Sequence, residues 1–530
     1  MSGPSGFDFV HESGAVGSLE MPEIMGPGCA IFDADQDGDL DLYLLQGSFA
    51  YSDPGHSPAP ANVLFLRGAD GRYSRAKKSG LEDPGYGMGV AIGDVNGDDL
   101  VDVYVTNAGP DRLFLNLGGG KFRDASSEWG VGDPAWGCSV AMFDLEGDGD
   151  LDVFVSHYVK YDPAKRCTDA AGRPEYCGPK EFPPLPDLLL RNDGKRFVDA
   201  SESAGIATTA AAGLGVTCAD FDGDGRRDVY VANDAYANNL WVNQGDGTLL
   251  DDALLLGAAF NVQGMAEAGM GVLTGDFDND LDLDLFMTHL RNESNTLYAA
   301  EGIGFEDRTA EFGLASLSLP ATGFGTVTFD VELDGDLDLV VGNGAVNRGE
   351  PRKDSDQPAP WDRYAEPNHL YLMTDGKFGF ASAEVGGELT SRVEVTRGLA
   401  VGDLDDDGDL DLLLTNTSGP ARIYRNDAPR GGHWLRVRPT ERAAGSVAIG
   451  AIVIVRAAGR SWMRLADPAF SYLSSSDPRV HFGLGNVEAV TSIDVKWPDG
   501  TFESFPGGAV DREVALVKGT GQALAAGGSR

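Results

Sequence analysis

Short apolar runs recur along the chain in pairs, and an acidic turn separates the two runs of each pair. A glycine-rich run precedes the turn, as at 87–93, and a run rich in β-branched and aromatic residues follows it, as at 153–155. These runs are too short for helices and have the composition of β-strands. Most units continue with two further short runs, as at 112–116 and 121–124. Four strands per unit predict the blade of a β-propeller.

The acidic turn is a nine-residue pattern that occurs seven times, at 33–41, 94–102, 144–152, 220–228, 276–284, 330–338 and 403–411. Seven units predict an all-β fold in which residues 1–428 form a seven-bladed propeller. The seventh unit lacks a fourth strand, and the N-terminal run that begins at Phe7 resembles the fourth-strand run that begins at Phe122. We therefore expect the N-terminal strand to close the last blade, because ring closure removes exposed sheet edges. An open solenoid is the alternative.

The acidic positions of the loop suit a hard cation, since Ca²⁺ takes about 6–8 oxygens from carboxylates, carbonyls and water. Positions 1, 5 and 9 are Asp in all seven copies, and position 3 is Asp, Asn or Glu. Position 7 is Leu100 or Arg226 in two copies, so we expect it to bind through its backbone carbonyl. The sequence predicts up to seven structural Ca²⁺ ions, with these ligands: Asp33, Asp35, Asp37, Asp39, Asp41, Asp94, Asn96, Asp98, Leu100, Asp102, Asp144, Glu146, Asp148, Asp150, Asp152, Asp220, Asp222, Asp224, Arg226, Asp228, Asp276, Asp278, Asp280, Asp282, Asp284, Asp330, Glu332, Asp334, Asp336, Asp338, Asp403, Asp405, Asp407, Asp409 and Asp411.

Three loops are expected to be weaker or more distorted. The fifth has no glycine at position 4 or 6, where a turn with positive φ favours one, and the third and sixth carry the longer Glu146 and Glu332 at position 3. Mg²⁺ fits less well, because it prefers few carboxylates and several waters. Without metal the carboxylates of each loop repel one another, so we expect the metal-free protein to be much less stable.

The glycine-rich strand followed by this loop resembles the FG-GAP/VCBS repeat, over residues 7–427. The runs 448–453, 474–485 and 495–500 resemble the ASPIC/UnbV module, and the combination resembles the cartilage acidic protein family. The resemblance implies a seven-bladed propeller with calcium loops, a role in interactions, and an extracellular or periplasmic location. Residues 431–520 read as a small β-sandwich packed on the propeller, and 521–530 as a disordered tail.

Polar residues are predicted to form a ring on the face opposite the calcium loops. Each follows a position-9 Asp by five residues, directly after an apolar strand: Gln46, Asn107, His157, Asn233, His289, Asn343 and Asn416. One interpretation is that they cap strand ends by hydrogen bonding to turn backbone. The other assigns His157 and His289, as candidate catalytic residues, to a second metal or to acid–base chemistry.

Three long insertions leave the same face and predict a binding surface, since long loops on a rigid scaffold usually carry binding. They span 47–61, 158–187 and 344–367 and hold His56, Tyr158, Tyr161, Arg348, Lys353, Trp361 and Tyr364, with His369 nearby. Cys167 and Cys177 share the second insertion, which resembles a cysteine-containing insertion of the family and implies a local disulfide in an oxidising compartment. A zinc site is the alternative. Cys29, Cys138 and Cys218 lie in apolar strands and are expected to be buried thiols.

Charge excludes some partners. The chain has 41 Lys and Arg against 83 Asp and Glu, a net charge of −42, which would repel nucleic acid and anionic membranes. The seven loops hold 32 of these acids, so most of the charge belongs to the predicted metal sites. The chain contains no run of about 18 apolar residues, so no membrane-spanning helix is predicted. The first residues lack a basic stretch and an apolar stretch, so no secretion signal is predicted and a cytoplasmic location stays open.

Two functions fit these features, and no signature of a known catalytic motif accompanies them. The first is a calcium-binding scaffold, a monomer, that binds a protein, glycan or small-molecule ligand on the face opposite the calcium loops. The second is an enzyme of secondary metabolism, a cyclase or isomerase, that uses a propeller pocket around His157 and His289. We favour the scaffold.

Overall fold

The computed structural model describes residues 6–48, 51, 59–443 and 445–524. The described residues form an all-β fold with three short α-helices: α1 (Pro22–Met25), α2 (Ser126–Trp129) and α3 (Ala383–Ser391). None of these helices is long and apolar enough to cross a membrane. His56 of the predicted binding surface lies outside the described residues.

Seven antiparallel sheets follow one another along the chain, and an acidic loop joins the first two strands of each. The first two are β1 (Cys29–Phe32), β2 (Asp41–Leu44), β3 (Val63–Arg67), β4 (Tyr73–Arg75); and β5 (Gly87–Gly93), β6 (Asp102–Asn107), β7 (Gly109–Asn116), β8 (Phe122–Asp124). The third is β9 (Gly137–Phe143), β10 (Asp152–His157), β13 (Leu188–Asn192), β14 (Phe197–Asp199), with the separate hairpin β11 (Cys167–Thr168) and β12 (Pro174–Glu175) inserted. The fourth and fifth are β15 (Gly213–Ala219), β16 (Asp228–Asn233), β17 (Asn239–Asn243), β18 (Leu249–Asp251); and β19 (Val272–Gly275), β20 (Asp284–Met287), β21 (Thr296–Glu301), β22 (Gly304–Asp307).

The sixth sheet also has four strands: β23 (Gly323–Phe329), β24 (Asp338–Asn343), β26 (His369–Thr374) and β27 (Lys377–Phe380). Beside it, β25 (Glu366–Pro367) pairs with β28 (Val393–Glu394). The seventh sheet has three strands: β29 (Thr396–Gly402), β30 (Asp411–Asn416) and β31 (Arg422–Tyr424). The predicted four-stranded unit is therefore present six times.

The first strands of the seven sheets form a closed series of contacts. β1 contacts β5, and the contacts continue through β9, β15, β19 and β23 to β29, which contacts β1 again. The glycines of these strands permit this approach. A Cβ atom added at Gly89 would lie 2.3 Å from the carbonyl oxygen of Cys138 on the next sheet, and one added at Gly215 would lie 2.3 Å from that of Met270.

The N-terminal run closes the seventh sheet only in part. Val10 forms an isolated antiparallel bridge with Pro420. On either side of Val10, Phe9 O accepts from Ala421 N and His11 N donates to Gly419 O. The start of the run contacts the first sheet, where the Phe7 ring packs on Phe65 at 5.1 Å between centroids and Arg75 binds Asp8 at 2.9 Å. Among the described residues no fourth strand lies beside β31.

The C-terminal unit consists of two further sheets around one apolar cluster. One sheet contains β32 (His433–Thr440) between β35 (Val480–Gly485) and the parallel strand β38 (Arg512–Val517). The other contains β33 (Ile452–Ala457), β34 (Arg460–Leu465), β36 (Ala489–Lys496), β37 (Phe502–Ala509) and β39 (Gln522–Ala523). Buried Trp462, Phe482 and Trp497 belong to the shared cluster. The last strand, β39, pairs with β37 through Glu503 and Ala523 and through Ser504 and Gln522.

Residues 466–479, which join β34 to β35 and are named here the axial segment, leave the C-terminal unit and enter the ring of first strands. Tyr472 is fully buried there, with its ring 5.0 Å from that of Phe324 and its hydroxyl bound to the carbonyl of Met25. The segment contacts the first strand of every sheet, through Ala30, Val90, Ser139, Thr217, Val272, Thr326 and Val401. The centre of the ring is therefore occupied by the chain itself.

Candidate metal centres

Each acidic loop is a tight turn between the first and second strands of a sheet, and its position 9 is the first residue of the second strand. Positions 4 and 6 have positive φ in all seven loops. The fifth loop achieves this without glycine, because Asn279 has φ 58° and Leu281 has φ 74°. Side chains are strained in this region, yet the fifth loop has the same backbone pattern at these two positions as the other six loops.

The position-9 aspartates clasp the loops, a role that the sequence did not reveal. One carboxylate oxygen accepts a hydrogen bond from the backbone N–H of position 2, and the other accepts one from the third strand of the same sheet. In the first loop the donors to Asp41 are Ala34 N at 2.9 Å and Arg67 N at 2.8 Å. The same pair of bonds forms at Asp102, Asp152, Asp228, Asp284, Asp338 and Asp411.

The position-1 aspartates divide the loops into two groups. In the first, fourth, fifth and seventh loops, one oxygen of Asp33, Asp220, Asp276 or Asp403 is buried without a hydrogen-bond partner. In the second, third and sixth loops, both oxygens of Asp94, Asp144 and Asp330 accept backbone N–H groups. A buried, unpaired carboxylate oxygen is costly, and coordination of a cation would satisfy it.

The same four loops bring three carboxylates together, with one oxygen from each within 4.8 Å of the other two. These clusters are Asp33, Asp35 and Asp41; Asp220, Asp222 and Asp228; Asp276, Asp278 and Asp280; and Asp403, Asp405 and Asp411. Position 7 contributes no side chain to any of them. Such oxygen-only groups are the ligands that Ca²⁺ prefers, so these loops can bind a metal ion.

The other three loops do not assemble such a cluster from their described residues. Their third position is Asn96, Glu146 or Glu332. The carboxyl of Glu146 lies close enough to that of Asp152 for the two to affect each other's pKa, and Glu332 and Asp338 are related in the same way. The longer Glu side chain therefore reaches position 9 of its own loop.

Burial makes the clasps poor acids when no metal is bound. Loss of solvation raises the pKa of Asp41, Asp102, Asp152, Asp284 and Asp411 to about 8, that of Asp228 to about 7 and that of Asp338 to about 9. Neighbouring carboxylates add to the rise, and the backbone N–H donors oppose it. A bound cation would favour the ionised forms.

Cations of the C-terminal unit reach the acidic loops. Lys496 Nζ lies 2.6 Å from Oδ2 of Asp220, and Arg436 Nη1 lies 2.7 Å from Oδ2 of Asp403. In both aspartates the other oxygen is the buried, unpaired one. Each of these carboxylates can therefore hold a side-chain cation and a metal ion on different oxygens. Weaker ion pairs join Arg442 to Asp99 at 3.4 Å and Arg460 to Asp336 at 3.6 Å.

The predicted polar ring caps strand ends. All seven residues are buried. The side chains of six of them bond to a backbone carbonyl, as Asn416 does to Pro420 at 2.8 Å and His157 Nδ1 to Pro186 at 2.9 Å; the others are Gln46, Asn107, Asn233 and Asn343. This confirms the capping interpretation.

His157 and His289 occupy buried positions that suit neutral imidazoles. Burial lowers the pKa of both, that of His289 to about 4. His289 Nε2 lies 3.9 Å from Glu267 Oε2, and its Nδ1 is buried without a partner. Within the described part of the chain, neither histidine joins a group of three metal-ligating side chains.

The insertions pack against each other instead of forming an open aromatic surface. Tyr158, Trp361 and Tyr364 are buried, and Glu175 bonds to the Tyr364 hydroxyl at 3.0 Å and to the backbone of Arg348 at 2.9 Å. Lys353 is exposed, whereas His369 is half-buried against Tyr371. Cys167 and Cys177 form a disulfide, and Cys29, Cys138 and Cys218 are buried thiols.

Comparison with known families identifies both parts of the chain. Residues 33–105, 94–155 and 220–287 match the FG-GAP-like repeat, and residues 442–523 match the ASPIC and UnbV family. The chain therefore carries FG-GAP-like repeats followed by an ASPIC/UnbV domain.

Two curated relatives carry the name cartilage acidic protein 1. Cartilage acidic protein 1 of Homo sapiens is 28% identical over 313 residues, which cover 58% of this chain and 44% of that protein. Cartilage acidic protein 1 of Xenopus tropicalis is 29% identical over 292 residues, which cover 54% and 42%. The match thus spans less than half the length of these relatives. Among solved structures, an Agrocybe aegerita lectin that recognises non-reducing terminal N-acetylglucosamine is 12% identical, with 74% of this chain and 87% of that chain covered and a TM-score of 0.38.

Proposed function

We propose that the protein is a calcium-binding, seven-bladed β-propeller scaffold. The closed series of contacts from β1 to β29 and back supports a ring in which each sheet is one blade. The two C-terminal sheets around Trp462 and Trp497 act as a β-sandwich docked on the face that carries the acidic loops.

The observation that carries the proposal is the coincidence of two features in the same four loops. Each has a buried, unpaired oxygen at position 1, and each gathers three carboxylates within 4.8 Å. Calcium would supply positive charge at these points, and the loops at Asp33, Asp220, Asp276 and Asp403 would hold it most readily. The remaining three loops bind more weakly in this proposal, because their position-3 side chain or their position-1 hydrogen bonds differ.

The role of the metal is structural, and the scaffold presents the opposite face to a protein, glycan or small-molecule ligand. The joined insertions at 158–187 and 344–367 form that face, and the disulfide between Cys167 and Cys177 restrains one of them. The ligand is contacted by exposed polar residues such as Lys353, because the aromatic residues of the insertions are buried. The scaffold acts as a monomer, since its sheets and domains are completed within one chain except at one edge.

An enzyme built around His157 and His289 is the less favoured function. Both side chains are buried, and Tyr472 of the axial segment fills the centre of the ring where an active-site pocket would lie. Burial outweighs the neighbouring carboxylates and lowers the pKa of both histidines, which disfavours a charged imidazole at neutral pH.

Calcium titration of metal-stripped protein tests the proposal. Isothermal titration and metal analysis should find at least four equivalents bound, and the thermal midpoint should rise with calcium. The variants Asp33→Ala, Asp220→Ala, Asp276→Ala and Asp403→Ala should each remove about one equivalent. Asp70→Ala, in an exposed hairpin, is the control and should remove none. A thermal midpoint unchanged by calcium would refute the proposal.

A further inference from the structure

In the part of the chain that the structure describes, no strand pairs with the outer edge of the seventh sheet, where each of the other six sheets has a fourth strand. In those six sheets the fourth strand places a large apolar side chain in the interior; these residues are Tyr73, Phe122, Phe197, Leu249, Phe305 and Phe378, and all are buried. Two residues later, four of the six strands carry an aspartate: Asp124, Asp199, Asp251 and Asp307. A common pattern of an apolar residue, any residue and an acid thus fills the outer position.

A groove of about 630 Å³ occupies this position in the seventh sheet. Its walls come from the sixth and seventh sheets, from α3 and from Tyr73 of the first sheet. They are largely apolar and include Val331, Val340, Leu389, Leu410, Leu412 and Tyr424. The Tyr424 hydroxyl is buried without a hydrogen-bond partner. In the second sheet the corresponding space holds Phe122, whose ring lies 6.4 Å from that of Phe32 on the preceding sheet.

The internal strands fix the register that an added strand would take. Asn116 pairs with Phe122, and its N–H binds the position-9 clasp Asp102 at 2.8 Å. Asn426 binds its clasp Asp411 in the same way, also at 2.8 Å, so Asn426 marks the place opposite the apolar residue.

The charges of the two edges also correspond. Arg112, four residues before Asn116, lies 3.5 Å from Asp124, which ends the fourth strand. Arg422 stands four residues before Asn426 and forms an ion pair with Glu394, at 2.5 Å. The seventh edge therefore offers an arginine where the second sheet uses one to meet the acid of its fourth strand.

We propose that this edge binds an extended segment of a partner protein as an antiparallel fourth strand. The segment has an aromatic residue opposite Asn426 and an acidic residue two positions later, near Arg422. Strand addition of this kind obtains affinity from main-chain hydrogen bonds and specificity from side-chain pockets. A second copy of this chain is a poorer occupant, because its own runs at 122–124, 197–199 and 305–307 are already paired within their sheets.

A peptide copied from an internal fourth strand tests the proposal. The probe is residues 194–203, Gly-Lys-Arg-Phe-Val-Asp-Ala-Ser-Glu-Ser, labelled with a fluorophore and added to the whole calcium-loaded chain. We expect saturable binding that weakens at least about tenfold when the Phe of the peptide is replaced by Ala, since a buried aromatic anchor dominates such contacts. Replacement of its Asp by Lys should weaken binding about threefold or more. A benzophenone in place of the Phe ring should cross-link to 385–389 or 410–426.

A matched pair of protein variants probes the edge itself. In the second sheet, Leu115 precedes Asn116 and pairs with Arg123 of the fourth strand. Arg425 precedes Asn426 in the same way, so its N–H would face the added strand. Arg425→Pro removes that donor and should abolish binding, whereas Arg425→Ala keeps it and should bind within about threefold of wild type. Cross-linking on the wild-type chain keeps the test decisive even if the Pro variant fails to fold.

Three results would overturn the proposal. They are absence of saturable binding up to about 1 mM peptide, cross-links confined to residues that do not line the groove, and equal affinities of the Pro and Ala variants. Sedimentation distinguishes the remaining occupant: a dimer of the chain that the peptide dissociates would assign the groove to a second copy and refute the partner assignment.

Discussion

Lys496 of the C-terminal unit lies 2.6 Å from one carboxylate oxygen of Asp220, while the other oxygen of the same side chain is buried and unpaired. Arg436 and Asp403 repeat the arrangement in the seventh loop. One acid therefore serves both the docking of a domain and the proposed metal site, and the two are energetically linked.

Lys496→Met should destabilise the protein more without calcium than with it. Removal of the ammonium leaves a buried carboxylate unpaired, which costs on the order of 3 kcal/mol, whereas bound calcium would neutralise the same carboxylate. Thermal melting in EGTA and in calcium measures the difference. Lys518→Met is the control, because Lys518 binds Glu441 and Asp499 away from the loops, and its loss should be equal in both conditions.

Two substitutions in the first loop should separate the clasp from the metal ligand. Asp41→Asn places an amide donor against one of the two backbone N–H groups that bind the carboxylate and should cost about 1–3 kcal/mol without calcium. The loss should be larger with calcium, because Asp41 also belongs to the carboxylate cluster of this loop. Asp35→Asn should weaken only the calcium-loaded protein, because without metal it relieves repulsion from Asp37. Urea unfolding in both conditions provides the free energies; an Asp41→Asn loss confined to calcium would contradict the clasp.

The metal-stripped protein should become less stable as the pH rises. The clasp carboxyls have pKa values of about 7 to 9 when folded and near 4 when unfolded, so unfolding releases protons and the free energy of unfolding falls from about pH 4 to pH 8. Calorimetry should therefore show a lower thermal midpoint at pH 8 than at pH 5.5. Saturating calcium should remove or reverse this trend, because calcium takes the place of the protons. A midpoint that rises with pH in the stripped protein would be inconsistent with these buried acids.

Gly408→Ala should loosen the contact between the seventh loop and the C-terminal unit. Gly408 has φ 97°, and a Cβ atom there would lie 2.1 Å from Trp434. Gly38 occupies the same position of the first loop with φ 96° and has nothing within 4 Å of such an atom, so Gly38→Ala carries the backbone strain without the clash. Denaturant melting should show a loss for Gly408→Ala that exceeds the loss for Gly38→Ala by at least about 1 kcal/mol. Equal losses of unfolding free energy in the two variants would mean that Trp434 moves away from the added methyl group at no measurable cost.

The local pattern predicted the strands and loops because both repeat seven times in phase. Invariant Asp at position 9 was correctly singled out, but its role as a clasp depends on donors such as Asn116 and Asn426, which lie 14 and 15 residues farther along the chain. The Asn that recurs at or just after the end of the third strand was the available sequence signal for this role. It can be interpreted only when the pairing of the second and third strands is known.

Other features depend on contacts between distant parts of the chain. The pairing of Lys496 with Asp220 spans 276 residues. The alternation of apolar and polar residues around Lys496 predicts a strand but does not indicate this partner. The N-terminal run was predicted from its likeness to a fourth strand, yet Arg75 and Phe65 hold it on the first sheet. Tyr472 reads as an ordinary loop residue, although it is buried among first strands.

The axial segment changes what separation of the two domains would require. Tyr472 lies inside the ring, whereas the strands that flank the axial segment lie outside it. The C-terminal unit is therefore held by the buried contacts of this segment and not by the connecting chain alone. A proteolytic nick in the connection at 427–432 would cut the covalent link and still leave both fragments in one native particle. Cleavage alone would therefore not release the ASPIC/UnbV domain as a free module.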